Sequence, residues 1–176
     1  MLERTAAPSR SLRARSPSQG RGGALNLSSG TTATISGSTF TTNKVDARNT
    51  ADTYNYGSGG AISADSAALT VEGTVFDGNT IYVYAQYTRN PGAYGGGLYV
   101  KGGSLELTES VVENGSVEVS SGFVGGGGIM LIQGATATII DTEIRGNALG
   151  SVTTDVDLAG GGLVIGSGAT AEIVNS

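Results

Sequence analysis

Apolar residues recur along this chain in short alternating runs, each entered through a pair of glycines. The first run is Gly22-Gly23-Ala24-Leu25-Asn26-Leu27. It returns as Gly59-Gly60-Ala61-Ile62-Ser63-Ala64, Gly96-Gly97-Leu98-Tyr99-Val100, Gly127-Gly128-Ile129-Met130-Leu131 and Gly161-Gly162-Leu163-Val164-Ile165. Successive side chains of a strand point to opposite faces, so an alternation of period two predicts a strand in each run. The inward series is Leu25/Leu27, Ile62/Ala64, Leu98/Val100, Ile129/Leu131 and Leu163/Ile165. The outward series is Asn26, Ser63, Tyr99, Met130 and Val164. The first inward residue advances by 37, 36, 31 and 34 positions, an elastic repeat that reads as a solenoid with loops of variable length.

A second strand follows in every unit. Its inward pairs are Ala33/Ile35, Leu69/Val71, Leu105/Leu107, Ala137/Ile139 and Ala171/Ile173, with Thr34, Thr70, Glu106, Thr138 and Glu172 outside. Five residues beyond each of the first four pairs stands Phe40, Phe76, Val112 or Ile144, and three further on stands Asn43, Asn79 or Asn147. Unit three departs from the rule, with Asn114 one position early and Gly115 in its slot. Stacked units would place equivalent residues about 4.8 Å apart, forming an apolar column from Phe40 to Ile144 and an asparagine ladder at a corner. Glycine and asparagine suit corners because both tolerate left-handed backbone. No apolar spacing of three and four is sustained, so helix is not expected.

The predicted fold is therefore all-β, a single right-handed parallel β-helix of about five coils with three short strands per coil, in the manner of pectate lyase. The hand is the usual one for parallel crossovers. The repeat positions that define it are Gly23, Leu25, Phe40, Asn43, Gly60, Ile62, Phe76, Asn79, Gly97, Leu98, Val112, Gly128, Ile129, Ile144, Asn147, Gly162 and Leu163.

Charge divides the chain. Residues 1–21 hold five arginines against one acid, whereas residues 22–176 carry 5 basic and 14 acidic groups, a net of −9. The first 21 residues are thus expected to be a disordered Arg/Ser-rich leader, and 22–176 the repeat domain, its last coil truncated. The leader has no apolar core of a secretory signal. No apolar stretch is long enough for a membrane span. A net-acidic body argues against nucleic acid as a partner. With 0 histidines and 0 cysteines, a Ser-His-Asp or Cys-His nucleophile, a thiolate metal site and a disulfide framework are excluded, and no cofactor is expected.

Gly-Gly-Ala-Ile at Gly59 to Ile62 with Phe76-Asp77-Gly78-Asn79, and Gly22-Gly23-Ala24-Leu25 with Phe40-Thr41-Thr42-Asn43, are similar to the repeat of the polymorphic outer membrane proteins, bacterial autotransporter adhesins. The later units depart from it at Val112 and Ile144. The resemblance implies a surface-exposed β-helix that adheres to host cells, and the leading expectation is a non-enzymatic segment of a surface or secreted adhesin-like protein.

The candidate binding residues are tyrosines. All seven lie between Tyr54 and Tyr99, and Tyr82, Tyr84, Tyr87, Tyr94 and Tyr99 fall in the third strand and inserted loop of unit two and the start of unit three. Tyrosine joins a large contact area to a polar tip, a combination suited to a glycan or a protein partner. β-propensity alone also accounts for Tyr82 and Tyr84, which alternate with Ile81, Val83 and Ala85. Two other readings stand beside adhesion. In one, Glu106 and Glu172, two rungs apart at about 9.6 Å, form a carboxylate pair of a polysaccharide lyase or hydrolase. In the other, the chain is a structural spacer without ligand. Asp155 and Asp157 are too few to complete a calcium site. Uncapped coils at either end invite end-to-end self-association.

Overall fold

The computed structural model describes residues 11–13, 19–49, 56–85, 91–151 and 156–176. They form an all-β parallel solenoid of about four turns, with four parallel sheets and no helix. Among the described residues no helix is long and apolar enough to cross a membrane. Following one coil in chain order, the strands belong to sheets here numbered I to IV. Sheet I contains Ser11–Arg13, Lys44–Asn49, Thr80–Ala85, Ser116–Val119 and Ala148–Ser151; sheet II contains Gln19–Arg21, Tyr56–Ser58, Gly92–Tyr94, Gly122–Gly125 and Val156–Ala159. Sheet III is the longest, built on Ile62–Glu72 and Leu98–Thr108. Sheet IV contains Thr39–Thr41, Val75–Asp77, Val111–Glu113 and Glu143–Arg145.

The predicted register is observed. Leu25 pairs with Ile62, Ile62 with Leu98, Leu98 with Ile129 and Ile129 with Leu163. The count of strands per coil differs from the expected three. The two strands predicted after the glycines lie in one sheet, continuous in coils two and three, while coils one, four and five insert a tight turn closed by Thr31, Ala135 and Ala169 N–H groups onto the carbonyls of Ser28, Ile132 and Gly166. Sheets II and IV are additional. Sheet II escapes a period-two reading because its strands are three or four residues long and rich in glycine.

Those glycines have a packing reason. A Cβ at Gly57 would strike the Ile81 and Val83 side chains of sheet I, and one at Gly20 would strike Val45. Sheets I and II are close enough that one of the two faces must be nearly bare. The result is a thin lobe with its own small core of Val45, Ala47, Ile81, Val83, Val117 and Val124. The main core lies between sheets III and IV and contains the predicted inward residues except Ile165 and Ile173 of the last coil, which are exposed. Phe40 and Phe76 stack there with ring centroids 5.0 Å apart and an interplanar angle of 7°, and Val112 and Ile144 continue the column.

The glycine alignment is corrected by one position in the later coils. The left-handed glycine stands three residues before the first inward residue in every coil, at Gly22, Gly59, Gly95, Gly126 and Gly160. Gly97, Gly128 and Gly162 are therefore equivalent to Ala24 and Ala61, and the partners of Gly23 and Gly60 are Gly96, Gly127 and Gly161.

The asparagine ladder is present with the expected gap. The Asn43 backbone N–H and Nδ2 both donate to Asn79 Oδ1, at 3.0 and 2.9 Å, and Asn79 Nδ2 donates to the Phe40 carbonyl at 2.8 Å. Asn147 bonds in the same way to Gly115 N–H and the Val112 carbonyl. Asn114 has left the ladder for the left-handed position (φ 52°), where its Nδ2 donates to Asp77 Oδ1 at 2.8 Å.

A second ladder, of hydroxyls, turns the chain from sheet III into sheet IV. Backbone N–H groups of Ser38, Thr74, Ser110 and Thr142 donate to the hydroxyls of Thr74, Ser110, Thr142 and Ser176 respectively. Each of these five hydroxyls donates to the carbonyl two residues behind it. A left-handed residue precedes every member: Gly37, Gly73, Glu109, Asp141 and Asn175. A Ser or Thr three residues after each inward pair was the available sequence signal.

The solenoid also begins before the change in composition at residue 22. Ser11–Arg13 pairs with Lys44 to Asp46 in sheet I and Gln19–Arg21 with Tyr56 to Ser58 in sheet II. Arg21 is exposed at the end of its strand, where a charge is compatible with a coil. Gly20 opposite Gly57 preserves the close approach of the two sheets.

Candidate binding surface

The strand Thr80–Ala85 buries Ile81 and Val83 in the thin lobe, and strict alternation therefore sends Tyr82 and Tyr84 to the outer face of sheet I. Tyr84 is 36 % exposed. Beside it in coil one stand Lys44, Asp46 and Arg48, with Asp46 in register with Tyr82 and Arg48 with Tyr84. Arg48 Nε donates to Asp46 Oδ1 at 2.7 Å, and Lys44 Nζ lies 3.6 Å from Asp46 Oδ2. Both cations lean over the Tyr82 ring, the guanidinium at 4.9 Å and the ammonium at 5.7 Å from its centroid. The bond to Asp46, followed by its charge, holds the Arg48 guanidinium above its ordinary pKa. On the other side, Tyr82 faces Glu118 in coil three. The face is a flat, polar sheet with two aromatic rings at its centre.

Tyr94 and Tyr99 stand elsewhere. They occupy the corner where the outer faces of sheets II and III meet, and they pack on the protein's own side chains. Tyr56 and Phe123 are the register partners of Gly92 on its two sides, and the Tyr94 ring folds back over Gly92 into the slot that this glycine leaves empty. Ring centroids follow one another at 6.4 Å (Tyr56 to Tyr94) and 5.9 Å (Tyr94 to Phe123), with Tyr99 also 5.9 Å from Tyr94. Tyr99 and Met130, outward from the coil, are nonetheless only 9 % and 4 % exposed, and Ser63 beside them is hydrogen-bond partner to Ser58 at 3.2 Å. A third apolar cluster thus lies outside the tube. The outward column Asn26 to Val164 is polar and exposed only where this corner is absent.

Charges border the corner. Asp65 lies 3.3 Å from both Arg21 and Lys101, joining three coils. Burial raises its carboxyl pKa, but hydrogen bonds from Lys101 and Ser66 together with the Lys101 and Arg21 charges outweigh that and leave it below the usual value.

Burial, reinforced by Tyr94 and Asp65, pushes the Tyr99 hydroxyl up from 10.0 to about 12. In the unfolded chain the phenol ionises at its ordinary pKa, so below that pH both states hold the proton and stability is unaffected. Between 10 and about 12 the unfolded state loses its proton first, and stability falls as pH rises. The loss expected from this group is about 2–3 kcal/mol across that window. Tyr99→Phe is expected to move the alkaline unfolding midpoint upward, read by circular dichroism against pH; an unchanged midpoint would show that Tyr99 does not govern alkaline unfolding.

Tyr87 lies outside the described residues, as does Asp155. Asp157 is exposed on sheet II. Among the described residues no group of three or more acidic side chains is arranged to hold a metal ion. Glu106, Thr138 and Glu172 stack in register on the outer face of sheet III, so the two glutamates are two rungs apart as expected. A shallow recess beside them is lined by Thr70, Ser104, Glu106, Thr136 and Thr138.

Comparison with protein-family models, with curated proteins and with solved structures finds no match.

The geometry therefore divides the four described candidate tyrosines by place. Tyr82 and Tyr84 lie on the outer face of sheet I, and Tyr94 and Tyr99 fill the corner between the outer faces of sheets II and III. The residues that sequence reasoning missed at the outward face are Lys44, Asp46 and Arg48. Their signal was available as a Lys-x-Asp-x-Arg alternation at the position of the tyrosine strand, one coil earlier.

Proposed function

We propose that this chain is a non-enzymatic β-solenoid segment of a surface or secreted adhesin-like protein, related in kind to the polymorphic outer membrane proteins. It recognises a glycan or a protein through the outer face of sheet I. The observation that supports this reading is the pairing of Tyr82 and exposed Tyr84 on one strand, side by side with the Lys44, Asp46 and Arg48 row. Aromatic rings held flat by a sheet offer contact area with little side-chain entropy to lose, and arginine beside tyrosine is the composition of interface hot spots. Tyr84→Ala is expected to weaken capture on a glycan or host-protein panel about tenfold or more without altering the far-ultraviolet spectrum. Undiminished capture would remove sheet I as the binding face.

The stacked Glu106 and Glu172 favour a second reading, cleavage of a polysaccharide at the sheet III recess. It requires release of reducing ends that Glu106→Gln abolishes.

A further inference from the structure

We propose that the sheet I face takes a carboxylated polysaccharide, a chain of uronate-type sugars, with Arg48 and Lys44 receiving the carboxylates and Tyr84 stacking on the sugar rings. This deepens the glycan-binding reading above and rests on it.

The argument begins with charge. The body from residue 22 onward carries a net of −9 and repels a polyanion over most of its surface. Among the described residues, the cations outside sheet I are matched to carboxylates: Arg145 bonds to Glu113 at 2.8 Å and to Glu143 at 2.7 Å, and Arg21 and Lys101 flank Asp65 at a buried aromatic corner. On sheet I, Lys44 and Arg48 in the same way share the single carboxylate of Asp46, but that acid is the more deeply buried of the two, its side chain 9 % exposed against 25 % for Asp65. Glu118, beyond the Tyr82 ring, is the other acid of the face. The end of the face formed by coil one is thus locally positive on an acidic protein.

Presentation is the second part. Lys44 and Arg48 are four residues apart on one strand and therefore on one face, and their charged ends converge over the Tyr82 ring. Their side chains are 39 % and 62 % exposed, whereas Asp46 between them is 9 % exposed. The carboxylate sits low and the cations stand high, so an approaching chain meets the cations first. Arg48 uses Nε for Asp46 and lies over the Tyr82 ring, which holds the planar guanidinium in one orientation. Its Nη groups supply the fork geometry that a carboxylate accepts. Tyr84, in register with Arg48, is 36 % exposed on the same face and gives the apolar face of a sugar ring a surface to cover.

The test uses the full chain on two immobilised polymers of one backbone, de-esterified polygalacturonate with free carboxylates and its fully methyl-esterified form with none. Retention on the first and not the second, lost as salt is raised, supports the proposal. Arg48→Gln is expected to weaken retention about tenfold or more. Asp46→Asn, which frees both cations, is expected to strengthen it, a gain that a merely structural role would not produce. Arg145→Gln, on sheet IV, is the control that should leave retention unchanged. Equal retention on both polymers overturns the carboxylate assignment and leaves the glycan-binding reading standing. Retention on neither polymer, together with Tyr84-dependent capture elsewhere on a glycan or protein panel, also overturns the assignment alone. Absence of capture by any glycan or protein overturns both.

Discussion

Gly96→Ala is expected to divide the solenoid at its middle. The added Cβ would run into the carbonyl oxygen of Gly127 in the next coil and would lie 3.1 Å from the Gly127 carbonyl carbon and from Ser116 N. Every obstructing atom is backbone, so no rotamer change relieves the contact. The same arrangement recurs along the molecule: Gly23 rests on the Gly60 carbonyl, Gly60 on that of Gly96, and Gly127 on that of Gly161. One methyl group must therefore separate two coils whose N–H and carbonyl groups are bonded across the gap, among them Gly96 N–H to the Gly126 carbonyl at 3.0 Å. Overpacking of this kind is expected to cost about 3 kcal/mol or more, because close-packed backbone cannot give way locally.

Gly97→Ala is the matched comparison. Alanine already occupies this position in the first two coils, at Ala24 and Ala61, and a Cβ at Gly97 would meet the Gly128 carbonyl oxygen at 3.0 Å and Val112 Cγ1 at 3.1 Å. Adjustment of a few tenths of an ångström should suffice, at a cost of less than about 1.5 kcal/mol. Urea denaturation of both variants checks the pair. Equal losses would mean that the contact between neighbouring coils at Gly96 is not the limiting one.

The second large effect is expected from Asn79→Ala. Asn79 is 1 % exposed, and its amide closes three hydrogen bonds: two accepted from Asn43 and one donated to the Phe40 carbonyl. Alanine leaves the Asn43 N–H, the Asn43 amide and the Phe40 carbonyl to find new partners at the junction of sheets IV and I. Each buried polar group left unsatisfied costs about 1–3 kcal/mol, so a total near 3 kcal/mol is expected. Asn147→Ala removes only two such bonds at a half-buried site and should cost about half as much. Chemical denaturation orders the two; a smaller loss at Asn79 than at Asn147 would refute the burial argument.

Much of this was legible because solenoid stacking repeats a local rule. Leu25, Ile62, Leu98, Ile129 and Leu163 had to be equivalent once each followed a glycine corner and preceded an alternating pair, and the observed pairing makes them so. The Phe40 to Ile144 column and the displacement of Asn114 followed from the same counting. Less visible was sheet II. Tyr56–Ser58 and Gly92–Tyr94 carry no alternating apolar signal, since their inward positions are Gly57 and Ala93, left small by the neighbouring sheet. The hydroxyl ladder at Ser38, Thr74, Ser110, Thr142 and Ser176 was written in the sequence but concealed among many other serines and threonines.

At the candidate site the sequence grouped tyrosines that the fold places on two different surfaces. Tyr82, Tyr84, Tyr94 and Tyr99 are alike as residues in a row, and alternation correctly sends each of them out of the tube. By itself the sequence determined which side chains fill the tube and which leave it, because that depends only on period two and on the spacing of corners. Only the tertiary structure decided what an outward residue meets. Sheets II and III bend toward each other and bury Tyr99 under Tyr94, whereas sheet I faces open solvent and presents Tyr84 beside Arg48. The angle between sheets is set by how closely their backbones approach across the coil, and no local pattern along one strand carries that information.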